Sequence, residues 1–123
     1  MGVRITDLND SSRFMNCNWW NWRPLVALIV ASGLLSEDDM RIFQDGHGGL
    51  EEIESRELAA HLRENVLSAL SVGQRIRLDG RITSQPDDGT FHRIDQDENY
   101  GVSREMLAEF VEFIENSRGF CVV

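Results

Sequence analysis

The chain has 123 residues, a formal net charge of −9 and a hydrophobic fraction of 41%. This composition is typical of a globular domain and excludes a disordered acidic tail, a collagen-like repeat and a disulfide-rich miniprotein. All 12 basic residues are arginine, and they are outnumbered by 21 acidic residues. We therefore expect no binding to nucleic acids or anionic membranes, because such binding depends on clusters of basic side chains.

The N-terminal third divides into a polar segment and a strongly apolar helix. Residues 1–14 are weakly patterned, so we interpret 1–14 as a polar N-terminal extension and 15–123 as a single globular domain. Pro24 favours a helix start, since proline is tolerated in the first turn, and Gly33 is a natural end. Residues between them are almost all apolar, which predicts a helix buried nearly all round. It is too short to span a membrane, which takes about 20 residues.

Two further helices are predicted before residue 74. Ser36 followed by three acids is typical of a capped helix start, and this short helix should reach about Phe43. A glycine-rich stretch then ends it. Leucine and valine recur at four-residue steps afterwards and predict a third helix that begins near Ser55 and runs to Ser71.

The central region changes to the period of β-strands. Residues 75–78 and 81–83 alternate apolar and polar side chains around Asp79-Gly80, a two-residue hairpin signal. A turn at 86–89 and a third short strand over 90–94 would complete an antiparallel meander.

The chain closes with a helix and a strand. Ser103 should cap an amphipathic helix, and residues 120–123 should form a terminal strand. The predicted fold class is therefore α+β, with about four helices and a small antiparallel sheet made by the central meander, with or without the C-terminal strand.

The cysteine content indicates a reduced, cytoplasmic protein. Cys17 and Cys121 lie near opposite ends of the sequence, a spacing that fits neither a disulfide framework nor a zinc site. We expect both to be free thiols, and we expect no cofactor and no metal ligands.

Three segments together resemble a known family. They are residues 18–25, with Trp-Arg-Pro-Leu at a helix start, residues 44–50, with an Asp-Gly-x-Gly loop, and residues 103–123, with a Phe-rich C-terminal helix. In this order they resemble a family of small uncharacterised bacterial proteins. Many members carry a Cys-x-x-Cys-Gly-Gly arrangement between these halves, which implies a zinc ribbon there, but residues 74–99 of this chain contain no cysteine. The resemblance implies one domain with a variable central insert and no particular activity.

The tryptophan cluster is the best candidate for a partner-binding site. Three tryptophans within four residues cannot all face the same way on a regular backbone, so at least one should be partly exposed. We expect Trp22 to fill the core and Trp19 or Trp20 to be the exposed one. Exposed Trp and Arg are typical of interface hot spots, so Trp19, Trp20 and Arg23 are the predicted contacts.

A possible ligand loop is formed by Asp45 and His47 among glycines, which let a backbone approach a ligand closely. A metal site takes three or four ligands, and only His61, His92 or the acids at 51–54 could complete one. The alternative is a connection whose glycines adopt positive φ between two helices, which we favour.

The functional prediction is a non-catalytic, cytoplasmic protein-interaction module with a partner that is basic. Four glutamates of the last helix, at 105, 109, 112 and 115, form either a solvated face or a contact for such a partner. Two alternatives stay open: a small ligand- or metal-binding protein or enzyme that uses the Asp45–His47 loop, and a toxin-neutralising protein of the immunity type.

Overall fold

Seven strands and four helices are present in the computed structural model, which describes residues 2–85 and 100–122. In chain order they are β1 (Gly2–Asp7), β2 (Phe14–Asn18), α1 (Trp19–Ala31), α2 (Glu37–Gln44), β3 (Gly48–Glu51), α3 (Glu52–Asn65), β4 (Arg75–Arg77), β5 (Ile82–Thr83), β6 (Gly101–Ser103), α4 (Arg104–Glu115) and β7 (Gly119–Val122). The predicted α+β class with four helices is confirmed. The turn predicted at 86–89 and the strand predicted over 90–94 lie outside the described residues.

The strands form two antiparallel sheets, with the orders β2-β1-β7-β3 and β5-β4-β6. The predicted hairpin is present, because β4 pairs with β5 across Asp79-Gly80. Its loop has three residues, 78–80, rather than the predicted two, since Arg77 donates a backbone hydrogen bond to the carbonyl of Arg81 and Gly80 has a φ of 86°. The predicted C-terminal strand is also present as β7. However, β7 pairs with β1 and β3 in the larger sheet, so the alternative prediction that the C-terminal strand joins the sheet of the central meander is wrong.

The N-terminal segment differs most from the sequence prediction. Residues 2–7 are not an extension ahead of the domain, since β1 lies between β2 and β7 in the larger sheet. Val3 and Ile5 are buried, while Arg4 between them is exposed. This alternation places one face of the strand against the helices, and the burial of that face explains why the segment is ordered. The predicted boundary at residue 15 falls inside β2.

Two helices begin earlier than predicted. Helix α1 starts at Trp19, so Pro24 lies in its second turn rather than its first. Asn21 in its first turn donates a hydrogen bond of 2.7 Å to the carbonyl of Gly101, which ties this end to β6. Helix α3 starts at Glu52, and Ser55 is a buried residue inside it that donates to the carbonyl of Leu50. The predicted end of this helix at Ser71 is wrong, because it ends at Asn65 and a short 3-10 turn, Leu67–Ala69, follows. Tertiary contacts thus extend both helices beyond their local start signals.

The core is linked by a chain of aromatic rings from four different elements. Trp22 of α1 lies 6.3 Å from Phe43 of α2, measured between ring centroids. Phe43 lies 6.1 Å from Phe120 of β7, which in turn lies 5.9 Å from Phe110 of α4. All four side chains are fully buried.

Helices α1 and α3 are the longest in the described residues, with 13 and 14 residues, and no helix there has the length and apolarity that a membrane crossing needs.

Candidate functional site

The neighbouring tryptophans Trp19 and Trp20 point to different parts of the molecule. The ring of Trp19 lies against Gly46, so close that a Cβ added to this glycine would come within 3.0 Å of the ring, and Trp19 therefore packs on the connection between α2 and β3. Steps of three or four residues separate Trp20, Arg23, Ala27 and Ala31, and this spacing places the four residues on one side of α1. Both tryptophans are half-buried, although only one of them was expected to be partly exposed, and only Trp20 shares the outer side of the helix with Arg23.

A groove of about 500 Å³ runs along this outer side of α1. We call it the α1 groove. Its walls are mainly apolar, and it is lined by Trp22, Arg23, Val26, Ala27, Val30, Ala31, Gln44 and Leu78. Its volume lies within the range of about 300–1,000 Å³ that is usual for ligand pockets. The sequence prediction that α1 is buried nearly all round is therefore wrong, because Ala27 and Ala31 are exposed.

Among the described residues, three side chains with polar groups line the α1 groove. Arg23 lies at the groove with its guanidinium carbon 5.5 Å from the centroid of the Tyr100 ring, a distance suited to cation–π attraction. Gln44 contributes an amide from the end of α2. Trp22 is fully buried, and its indole N–H has no hydrogen-bond partner within residues 2–85 and 100–122. A buried donor without an acceptor costs about 1–3 kcal/mol of stability.

The Asp45–His47 segment is a tight connection that leads directly into strand β3. Asp45 and His47 are both exposed. Gly46 and Gly48 have φ values of 81° and 107°, as predicted, whereas Gly49 does not have a positive φ and the connection leads to a strand rather than to a helix. Gly48 already belongs to β3, which sequence reasoning missed. Among the described residues, His, Cys, Asp and Glu side chains form no group of three that could hold a metal ion.

The two cysteines are free and lie on opposite faces of the larger sheet. Cys17 is opposite Val3, on the face that packs against the helices, whereas Cys121 is opposite Thr6 on the other face. Burial raises the pKa of the Cys17 thiol to about 12, with a smaller contribution from the charge of Glu109. Because the thiolate is the reactive form, Cys17 is not equipped as a nucleophile.

Acidic side chains gather away from the α1 groove, at the start of α3. A shallow cleft there is lined by Leu8, Glu51, Glu52, Ile53, Glu54, Glu57 and Arg118. Two of these acids, Glu52 and Glu54, lie in the first turn of α3, where the helix dipole stabilises negative charge, so their position has a structural explanation. The four glutamates predicted to face outward on α4 are all exposed, and Glu115 accepts a hydrogen bond of 2.8 Å from Arg63 of α3.

Sequence reasoning singled out Trp20 and Arg23 as candidate contacts but did not predict the groove that Arg23 lines. Its members Gln44 and Leu78 come from parts of the chain that no local pattern connects to α1. One signal was present: Ala27 and Ala31 are small residues one turn apart, which leave room over a helix that is otherwise built from bulky side chains.

Comparison of the chain with protein families, with curated proteins and with solved structures finds no match. The resemblance drawn from the three sequence segments therefore stays a prediction.

Proposed function

We propose that this protein is a non-catalytic interaction module that binds a partner protein along the outer side of α1. The α1 groove is the observation that carries the proposal, because it combines an apolar floor with Arg23 and lies beside the half-buried Trp20. Tryptophan and arginine around an apolar depression are the residue types that dominate binding energy at protein interfaces. Trp19 contributes by packing α1 against Gly46 rather than by direct contact.

The proposed partner carries net positive charge and shares the cytoplasm with this protein. The formal charge of −9 favours encounter with a basic protein by electrostatic steering. The exposed glutamates of α4 extend the negative potential over a second side of the molecule. Two free cysteines are compatible with a reducing compartment.

The test is affinity capture from the source cell with two matched variants. Ala27→Glu places a charge in the α1 groove, whereas Ala60→Glu places the same charge on an exposed position of α3. We expect the Ala60→Glu variant to capture the same proteins as the wild type and the Ala27→Glu variant to lose them. Circular dichroism should show that both variants are folded. Equal capture by all three proteins would reject this surface as the binding site.

A further inference from the structure

Strand β2 is an edge strand of the larger sheet. It pairs with β1 on one side, and no other described strand pairs with its second side. With five residues it is the longest edge strand in the described parts of the chain, since β3, β5 and β6 have four, two and three residues. An open strand edge presents a row of backbone groups that can form hydrogen bonds with a strand of another molecule.

The register of the β1–β2 hairpin shows which backbone groups lie on the open side. The amide of Asp7 donates a hydrogen bond of 3.1 Å to the carbonyl of Arg13. In an antiparallel ladder, residue pairs that exchange hydrogen bonds alternate with pairs that do not. Counted from this bond along the register, three residues of β2 direct their backbone groups away from β1, and their side chains are exposed. They are Phe14, Asn16 and Asn18.

The sequence of β2 lacks the features that usually keep an edge strand from pairing. Edge strands are commonly protected by charged side chains, by proline or by bulges. The sequence Phe-Met-Asn-Cys-Asn contains neither a charged residue nor proline, although 27% of the chain is charged. Its register with β1 runs through five consecutive residue pairs without a bulge. The edge strand β3, by comparison, ends on the exposed Glu51.

The charge pattern favours a second copy of this chain as the molecule that pairs with β2. When identical strands pair antiparallel about a two-fold axis, the central residue lies opposite its own copy. Like charges in that position would destabilise the sheet, and here the central residue is the uncharged Asn16. Arg4 donates a hydrogen bond of 3.4 Å to Asn16 and places a positive charge beside it. Two chains that each carry a charge of −9 therefore meet at an edge without acidic side chains.

We infer that the chain forms a two-fold symmetric dimer in which β2 of one copy pairs antiparallel with β2 of the other, centred on Asn16. Phe14 of each copy then lies opposite Asn18 of the other, and the two four-stranded sheets become one continuous sheet. No residue of β2 lines the α1 groove, so this inference does not rest on the proposed function.

Amide hydrogen exchange of the wild type tests the backbone pairing without any substitution. The N–H groups of Phe14 and Asn16 should exchange quickly at low protein concentration and more slowly at high concentration, where the dimer forms. Those of Met15 and Cys17 are bonded to β1 and should be protected at every concentration. If the exchange of Asn16 does not depend on concentration, the inference is wrong even for a chain that dimerises, because another surface would then form the dimer.

Charge substitutions at Asn16 test the two-fold register. In sedimentation velocity, Asn16→Asp and Asn16→Lys should each weaken the dimer about fivefold or more, because each sets like charges opposite one another. An equimolar mixture of the two variants should associate again, since an acid and a base then lie opposite each other across the axis. The same two substitutions at Ala60, exposed on α3, are the control and should leave association unchanged.

Three results would overturn the inference. They are a wild type that stays monomeric up to about 1 mM, a dimer that neither charge at Asn16 weakens, and a mixture of the two variants that associates no better than each alone. A monomeric protein whose partner capture is lost in Ala27→Glu would overturn the dimer and leave the interaction module in place.

Discussion

Arg13 donates a hydrogen bond of 3.0 Å to the carboxylate of Asp7 and thereby holds together the two ends of the loop between β1 and β2. Asp7 is almost completely buried, whereas Arg13 is about one-third exposed. Arg13 also donates to the carbonyl of Phe113 and lies 4.7 Å above the centroid of its ring, near the C-terminal end of α4. One arginine thus neutralises a buried acid and attaches the hairpin to the last helix.

We expect Arg13→Gln to destabilise the protein by about 1–3 kcal/mol, since it leaves the buried Asp7 carboxylate without its cation. Urea unfolding at neutral pH measures this change. Arg41→Gln is the matched control, because Arg41 pairs with Asp38 at the same distance of 3.0 Å but both side chains are exposed. The control should change stability by less than about 0.5 kcal/mol. Equal effects of the two substitutions would contradict the structural role of Arg13.

Gly46→Ala should cost more stability than Gly33→Ala. Both glycines have positive φ, of 81° and 75°, so both alanines carry the strain of a left-handed backbone, about 1–2 kcal/mol. A Cβ at residue 46 would also lie 3.0 Å from the Trp19 ring, while a Cβ at residue 33 would meet nothing within 4 Å. We expect an additional loss of about 1 kcal/mol at Gly46, measured by thermal or urea unfolding.

The variant Trp19→Ala provides the control for this contact. With the ring removed, the difference between Gly46→Ala and Gly33→Ala should largely disappear, because the strain common to both positions remains. A difference that persists in the absence of Trp19 would show that something other than the ring penalises a side chain at residue 46.

The starts of two helices were predictable from the sequence, because each has a clear N-cap residue. Ser36 accepts a hydrogen bond from the amide of Asp39, and Ser103 accepts one from Met106, as expected for N-caps. The presence of a hairpin at Asp79-Gly80 was predictable for a similar reason, because its glycine is a local turn signal, although the loop has three residues rather than two. Each of these features is fixed by interactions within a few residues, which a sequence displays directly.

The larger sheet was not predictable in the same way. Strand β3 contains Gly48 and Gly49, which have low strand propensity, and it exists because β7 pairs with it. Strand β1 does alternate, with Val3 and Ile5 inward, but only the distant β7 shows that the segment is a central strand. The α1 groove has the same origin, since Gln44 and Leu78 reach it through the fold.

Thiol labelling should distinguish the two cysteines. Cys121 lies on the face of the larger sheet that is opposite the helices and is half-buried, whereas Cys17 lies in the core. We expect a maleimide to modify Cys121 in the folded protein and to reach Cys17 only after denaturation. Mass spectrometry of peptides, with Cys121→Ala as the control that should stay unlabelled in the folded state, measures this order. Labelling of Cys17 first would contradict the assignment of the two faces.

Alkaline pH should destabilise the protein through Cys17. The pKa of this thiol is raised from 9.0 to about 12, chiefly by burial, so above pH 9 the unfolded chain loses a proton that the folded protein keeps. The unfolded state then binds fewer protons, and the free energy of unfolding falls as pH rises from 9 towards 12. By about pH 10.5 the loss should be roughly 1–2 kcal/mol relative to pH 8.

This loss is separable from other alkaline effects by comparing slopes rather than absolute stabilities. Cys17→Ala lowers stability at every pH by removing a buried side chain, but its free energy of unfolding should fall less steeply with pH because the titrating group is gone. Cys121→Ala leaves Cys17 in place and should retain the steeper fall. Urea unfolding at pH 8, 9, 10 and about 10.5 gives the three slopes. Identical slopes in all three proteins would mean that Cys17 titrates alike in the folded and unfolded chains, and hence that its thiol is not held in the dry interior between β2 and the helices.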